Sequence, residues 1–242
     1  MQTAEAPGPG TAGTSEFDDV WVVIPVYNEA SVIAAVVNGV LPTFPHVVCV
    51  DDGSRDDSAD RIFRTGAHLV VHPVNLGQGA ALQTGLEYAL LQDGSQYFVT
   101  FDADGQHRVV DAAELVRAVK DGDADVALGS RFLGGAADVP WLTRALLKTV
   151  AALSPAARRL QLTDAHNGLR VLNRAAASQL KITMNGMAHA SEIVDYLARS
   201  ELAVTEIPVT VLYTDYSKAK GQSLINGVNI LFDLSLRSRR PS

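Results

Sequence analysis

The chain of 242 residues is poor in cysteine, in basic charge and in long apolar runs. Its one cysteine, Cys49, excludes an internal disulfide and any Cys-based metal site. Cys49 lies in the run Val47-Val48-Cys49-Val50 and reads as a small buried hydrophobe, compatible with a reducing, cytosolic location. No apolar run approaches the ~20 residues that cross a bilayer. The N-terminus lacks a basic region followed by an apolar stretch, so no secretory signal is expected. Acidic residues outnumber basic ones by 27 to 20, a formal net charge of -7, which argues against general nucleic-acid binding. There is no internal repeat.

What is present is enough apolar sequence, 47% of the chain, to bury the core of one large domain. Residues 1–16 are rich in Gly, Pro, Thr, Ala and Ser and read as a disordered tail. From Val20 onward, apolar runs alternate with helical spacing. Strands are expected at Val20–Ile24, Val47–Val50, Leu69–Val71, Tyr97–Phe101 and Val126–Leu128. Helices are expected at Ala30–Val40, from about Asp56, at Gly79–Gln92 and at Asp111–Lys120. Repeated β-α-β units of this length predict an α/β fold with a mainly parallel central sheet sandwiched by helices. The second half carries a basic helical stretch (142–160), a strand near Leu169–Leu172, helices near 174–181 and 189–199, and strand-like Val204–Val211. A loop (213–222) and an apolar segment, Leu224–Leu236, close it. No linker separates the halves. The expected organisation is a single domain over 17–228, with functional halves 17–128 and 129–228, and a basic C-terminal tail over 229–242.

Every unusual polar cluster of the first half follows a strand, where open parallel sheets bind ligands. Pro25-Val26-Tyr27-Asn28-Glu29 follows the first, Asp51-Asp52-Gly53-Ser54 the second, and His72-Pro73-Val74-Asn75 the third. Asp102-Ala103-Asp104-Gly105-Gln106-His107 follows the fourth. Each alone is compatible with turns and helix caps; four on one rim are not explained by turns alone. Asp102 and Asp104, two residues apart, can approach one hard cation such as Mg²⁺ or Mn²⁺, which would also take phosphate oxygens. Asp51-Asp52 reads either as a capping turn or as carboxylates accepting from a nucleobase or ribose. Asn75-Leu76-Gly77-Gln78-Gly79-Ala80-Ala81 is neither a Gly-x-Gly-x-x-Gly fingerprint after the first strand nor a Walker sequence. Close helix packing on small residues is its better explanation, which weakens dehydrogenase and NTPase readings. His107 and His189 read as hydrogen-bonded structural histidines rather than metal ligands.

Ile24-Pro-Val-Tyr-Asn-Glu29, Asp51-Asp-Gly-Ser54 and Asp102-Ala-Asp-Gly-Gln-His107, in this order and spacing, resemble the family-two glycosyltransferases of GT-A fold. The resemblance runs from about Val20 to Ser223. It implies that Pro25, Tyr27, Glu29, Asp51 and Asp52 line a nucleotide pocket. It implies further that Asp102, Ala103 and Asp104 hold a metal and the donor diphosphate, with Gln106 near the donor sugar or metal. The family inverts at the anomeric carbon by direct displacement. Gly129-Ser130-Arg131-Phe132, Gly134-Gly135, Trp141 and Arg144 look like the polyprenyl-phosphate sugar synthases, relatives of dolichol-phosphate mannose synthase. So do Asp164-Ala-His-Asn-Gly-Leu-Arg170 and Lys220-Gly-Gln-Ser223. That likeness extends to polyprenyl-phospho-N-acetylgalactosaminyl synthases. By it, Arg131, Arg144, Lys220 and Ser223 are acceptor-phosphate candidates. It favours a UDP-sugar donor (UDP-GalNAc, UDP-GlcNAc or UDP-Glc) over GDP-mannose. Where these relatives carry Arg near the late loop, Lys218 and Lys220 stand here, point charges without a bidentate fork.

A phosphate monoester, with a second pKa of ~6, is a mostly anionic nucleophile that needs cationic positioning more than a general base. Arg131, Arg144, Lys148 and the late lysines suit that need. Glu192, a general-base candidate in hydroxyl-acceptor relatives, is expected here to orient the acceptor or a loop. From Trp141 to Thr163 there are four basic residues and no acidic one, and Leu224–Leu236 runs into Arg237, Arg239 and Arg240. These stretches read as interfacial segments or as ordinary core-facing helices. The expectation is a peripheral enzyme on the inner face of the cell membrane, with a small membrane subunit as a further partner. Two rival enzymes are a family-two transferase acting on a hydroxyl and, more remotely, a nucleotidyltransferase. Against the latter, Pro-Val-Tyr-Asn-Glu stands where a glycine-rich stretch with a basic residue would follow the first strand. A non-catalytic nucleotide-sugar binder is the third alternative, made unlikely by the intact Asp102 and Asp104.

Overall fold

A computed structural model describes residues 15–122, 124–133, 154–186 and 188–212. Strands β1 (Val20–Val26), β2 (His46–Asp51), β3 (His68–Val71) and β4 (Tyr97–Thr100) alternate with helices α1 (Ile33–Val40), α2 (Ser58–Phe63), α3 (Gln78–Leu90) and α4 (Val109–Lys120). Then come β5 (Val126–Ser130), α5 (Pro155–Arg159), β6 (Arg170–Asn173), α6 (Arg174–Gln179), α7 (Ala188–Arg199) and β7 (Val204–Pro208). The seven strands form one sheet in the order β3-β2-β1-β4-β6-β5-β7.

β1 is apolar throughout and buried at every residue, as a strand covered on both faces must be. Its side chains part by the period of two. Val20, Val22, Ile24 and Val26 join α1, α2 and α4 in one core layer, while Trp21 and Val23 join α3, α6 and α7 in the other. Gly85 of α3 sits so close that a Cβ would lie 2.3 Å from Val23 Cγ1. Small residues thus set how near α3 lies to β1.

All neighbouring pairs are parallel except those of β6, which runs antiparallel to both β4 and β5. Expectation and structure agree on a mainly parallel sheet; the reversed strand is a finding that the apolar pattern does not carry. At the start of the described chain, Arg117 forks Glu16 at 2.7 and 3.0 Å and lies 5.3 Å over the Phe17 ring, so Glu16 and Phe17 are held on α4. The strand expected over Val204–Val211 is paired only to Pro208, with an isolated bridge from Val211 to His107. Among the described residues no helix is long and apolar enough to cross a membrane.

The strand order reverses between β1 and β4, and the crevice opens there. The Phe101 N–H donates to Val23 O, after which β4 leaves β1. Pro25 faces the same side as Val23, so its missing donor falls where no ladder partner remains.

Candidate active site at the β1–β4 crevice

The loops after β1 and β2 are knitted together by backbone donors and short polar side chains. Asn28 N–H donates to Ser54 Oγ, Glu29 N–H to Ser58 Oγ, Ala30 N–H to Asp56 Oδ2 and Arg55 N–H to Asn28 Oδ1, at 2.8–3.0 Å. Asn28 adopts φ 54°, a left-handed conformation that Asn tolerates better than most residues. The result carries Tyr27, 41% exposed, on the rim and buries Glu29 beneath it.

The two aspartates after β2 have different surroundings. Asp51 Oδ1 accepts from Ser54 N–H, the turn-capping contact. Asp52 is enclosed by the loop after β3: His72 Nδ1–H and Leu76 N–H donate to Oδ1 at 2.8 and 2.9 Å, and Gly77 N–H to Oδ2 at 2.7 Å. His72 Nε2 is tied in turn to Thr84 Oγ1 at 3.0 Å. Asp52 therefore closes the rim by holding the β3–α3 connection.

Asp102 and Asp104 follow β4 at the crevice. His107 Nε2–H donates to Asp102 Oδ2 at 2.9 Å, and Gln78 Nε2 reaches Oδ1 at 3.3 Å. Asp104 Oδ1 accepts from Gln106 N–H at 3.0 Å, and Gln106 O accepts from Leu212 N–H. Burial pushes the Asp102 carboxyl up, but the hydrogen bond and charge of His107, then the charges of Arg170 and His189, outweigh it and hold it below the ordinary aspartate range. Asp104 goes the other way, up to about 6, through burial, then the charge of Asp102, with Glu29 adding to it. Two carboxylates with opposed shifts side by side form a site whose negative charge is under-compensated. A divalent cation relieves that repulsion, so the donor set fits Mg²⁺ or Mn²⁺ held by Asp102 and Asp104. No cluster of three or more His, Cys, Asp or Glu suited to a metal occurs among the described residues. Any further ligands from this set of residue types are thus not supplied by the described protein.

The segment 164–170 wraps Asp102 from the second half. A Cβ on Gly168 would lie 2.1 Å from Asp102 Oδ2, so only glycine leaves room for the carboxylate. Thr100 Oγ1–H holds the Gly168 carbonyl at 2.6 Å. Asn167 is 5% and Arg170 3% exposed, and Asn167 Nδ2 and Arg170 Nη1 are enclosed without hydrogen-bond partners. Sequence reading gave these two residues no role. Their marks in the sequence are the Asp164–Arg170 motif that contains both and a charged residue inside the apolar strand Leu169-Arg170-Val171-Leu172.

Arg131, at the carboxyl end of β5, forks Asp164 at 2.6 and 2.7 Å, and its N–H donates to the same carboxylate. Burial opposes ionisation of Asp164, but Arg131 holds its carboxyl below the ordinary range. Glu206 of β7 accepts from the N–H groups of Thr163 and Asp164 at 2.8 and 2.9 Å and fixes this corner to the sheet. Glu192 accepts from Thr183 N–H and Oγ1–H and from Met184 N–H, which is the loop-orienting arrangement. His189 Nδ1–H donates to Gly186 O at 2.6 Å. A Cβ on Gly79 would lie 2.1 Å from Met184 O, the close packing expected for that glycine-rich stretch. Burial holds the His166 imidazole down to about 4, so it is neutral at neutral pH. Arg144, Lys148, Lys218, Lys220, Ser223 and the segment Leu224–Arg240 lie outside the described residues.

Comparisons with known proteins bear on the family and the fold. The UDP-N-acetylglucosamine--dolichyl-phosphate N-acetylglucosaminyltransferase of Methanococcus voltae is 27% identical over 240 residues, covering 89% of this chain and 94% of its own. The polyprenol monophosphomannose synthase of Mycolicibacterium smegmatis is 29% identical over 222 residues, covering 86% and 82%. Among solved structures, glucosyl-3-phosphoglycerate synthase from Mycobacterium tuberculosis, in complex with Mn²⁺ and uridine-diphosphate-glucose, superposes with a TM-score of 0.66. It does so at 19% identity over 93% of this chain and 80% of that one, which establishes the GT-A fold. With the model of the family described as "Glycosyl transferase family 2" matching residues 21–181, β1 through the loop after α6, the chain belongs to glycosyl transferase family 2 and is a glycosyltransferase.

Proposed function

We propose that the enzyme transfers a sugar, with inversion, from a nucleotide sugar to a polyprenyl phosphate. The observation that carries the donor half of this reading is the Asp102–Asp104 pair at the switch point, with its opposed pKa shifts. Asp102 and Asp104 would hold a divalent cation, which would supply Lewis-acid charge to the leaving nucleoside diphosphate. The chain's own residues do the positioning. His107 and Gly168 aim Asp102, the interlocked loops after β1 and β2 present Tyr27 to the nucleoside while Asp51 caps the turn at Ser54, and Asp52 holds the rim closed.

The acceptor half rests on the two relatives whose names contain dolichyl-phosphate or polyprenol monophosphomannose, and on the engagement of Glu192. Glu192, the candidate base, already accepts three donors from the 183–184 loop. An anionic acceptor needs no such base. Arg131, held by Asp164 at the end of β5, is proposed to meet the incoming phosphate, with Arg144, Lys220 and Ser223 as its proposed companions. The donor is proposed to be a UDP-sugar. The enzyme is proposed to work peripherally at the inner face of the cell membrane, where its lipid acceptor resides.

The test is an assay with Mg²⁺ or Mn²⁺, short polyprenyl phosphates and a panel of labelled nucleotide sugars. Label moving into the organic phase, abolished by chelator, is the expected result. Label moving only into water-soluble product refutes the lipid acceptor, and turnover that survives chelation refutes the metal. Full activity of the purified chain alone would exclude an obligatory membrane subunit.

A further inference from the structure

Behind Asp102 stands an enclosed cation. Arg170 begins β6, paired in register with Thr100 of β4 and Leu128 of β5, at 3% exposure. A guanidinium carries five N–H donors and keeps its charge in proteins. Here Nη1 is shut away from solvent without an acceptor, and three residues earlier the Asn167 amide is in the same condition. Two carboxylates act on Arg170 electrostatically, Asp102 and Asp164. Asp164 is already taken by the Arg131 fork. Asp102 is the carboxylate read above as a metal ligand, and its hydrogen bonds go to His107 and Gln78 rather than to Arg170.

A buried positive charge with unmet donors is a costly arrangement for the empty protein. Its effect on what enters the site depends on the sign of the entrant. A lone divalent cation at Asp102 would meet repulsion from the buried Arg170, and charges act more strongly between buried groups than in water. A nucleoside diphosphate brings more negative charge than a divalent cation brings positive, so the pair is net anionic and Arg170 would attract rather than repel it. The described residues contribute no cluster of three or more metal-binding side chains, so a diphosphate can add ligands that they do not.

We infer that Arg170 is a positioning residue that makes donor loading concerted, disfavouring a lone divalent cation at Asp102 and favouring that cation together with a nucleoside diphosphate. The inference rests on the metal-dependent reading above and deepens it. Coupling of this kind is reciprocal: whatever factor the nucleotide adds to cation affinity, the cation adds to nucleotide affinity.

The experiment uses the full chain with Mn²⁺, UDP and GDP as probes and calorimetric titration as readout. Each ligand is titrated alone and with the other saturating. In the wild type, Mn²⁺ and the tighter-binding nucleotide should strengthen one another by about 30-fold or more, within the usual range of coupling between sites. In Arg170→Met, Mn²⁺ alone should bind several-fold tighter and the nucleotide with Mn²⁺ about tenfold weaker, so that coupling falls to about fivefold or less. Arg170→Lys keeps the charge and should hold coupling within about threefold of wild type. A purely structural arginine would weaken all constants together or leave coupling unchanged, and either result in folded Arg170→Met overturns the inference. Should that variant fail to fold, Arg170→Lys decides: loss of coupling there overturns it. If the wild type binds neither Mn²⁺ nor a nucleotide, the metal-dependent reading itself fails, independently of Arg170.

Discussion

The rims of β2 and β4 each offer two aspartates, and the molecule treats Asp52 of the first and the Asp102–Asp104 pair of the second oppositely. Asp52 receives three donors at 2.7–2.9 Å from the loop after β3. Asp102 receives one good donor and one long one, Asp104 receives one, and the protein around them leaves buried donors unmatched. A carboxylate saturated by backbone N–H groups is part of the scaffold, because its charge is already answered. A pair left short of donors, one member held down and the other pushed up, is set up to receive charge from outside. The same residue type at the same topological position thus divides into structure and chemistry by what surrounds it.

The largest effect that would sharpen the contrast is loss of the open pair. Asp102→Asn or Asp104→Asn should lower kcat/KM by about 1,000-fold or more, the several kcal/mol that cation-assisted charge stabilisation supplies. The fold should survive, as circular dichroism will report. Gly168→Ala comes next: its methyl group displaces the Asp102 carboxylate, and a misplacement near 1 Å costs about 100-fold in kcat/KM. If Gly168→Ala is fully active, the wrapping of Asp102 by the 164–170 segment has no functional weight. Asp52→Asn should act on the other axis, costing about 1–3 kcal/mol in denaturant unfolding through its lost charge-assisted bonds. Its Mn²⁺ affinity should stay within about threefold of wild type, less than 1 kcal/mol; a change as large as that of Asp104→Asn would erase the distinction drawn between the rims.

The smallest effect is in pH. Burial and the charge of Asp102 raise the Asp104 carboxyl to about 6 in the folded, metal-free protein, from the ordinary aspartate value of 3.8. A raised folded pKa means the folded state holds the proton more tightly than the unfolded one. Its favourable contribution is complete below about 4 and is lost as pH rises through about 6. Asp104→Asn should therefore raise the metal-free melting temperature at pH 7.5 by a few degrees, at roughly 2–4 °C per kcal/mol for this size, and leave it near wild type at pH 4. Apparent Mn²⁺ affinity of the wild type should fall below pH 6, as the proton competes for Asp104.

The first half of the fold was legible because its strands are unbroken apolar runs and its helices carry period-3.6 spacing. The rim motifs sit directly after those runs. What could not be read was anything set by distant chain. Asp52 is answered by His72, Leu76 and Gly77, twenty or more residues away, so its sequence neighbours say nothing of its saturation. Gly168 fits against Asp102 from 66 residues on, and a glycine kept bare by a carboxylate looks like any turn glycine. β6 is too short for its apolar residues to reveal direction. Glu192 was weighed as a base or an orienting group, and only the placement of Thr183 and Met184 displays which groups its oxygens meet.

The bare contact between Gly79 and the Met184 carbonyl carries a consequence for engineering. With no side chain between them, α3 and the 181–186 loop interlock like adjoining teeth. A chimera that imports another transferase's C-terminal portion to change acceptor choice must bring a backbone of the same contour at Met184, or bulge where α3 begins. The exchangeable unit is therefore bounded by two glycines, Gly79 and Gly168, rather than by Asp102 and Asp104.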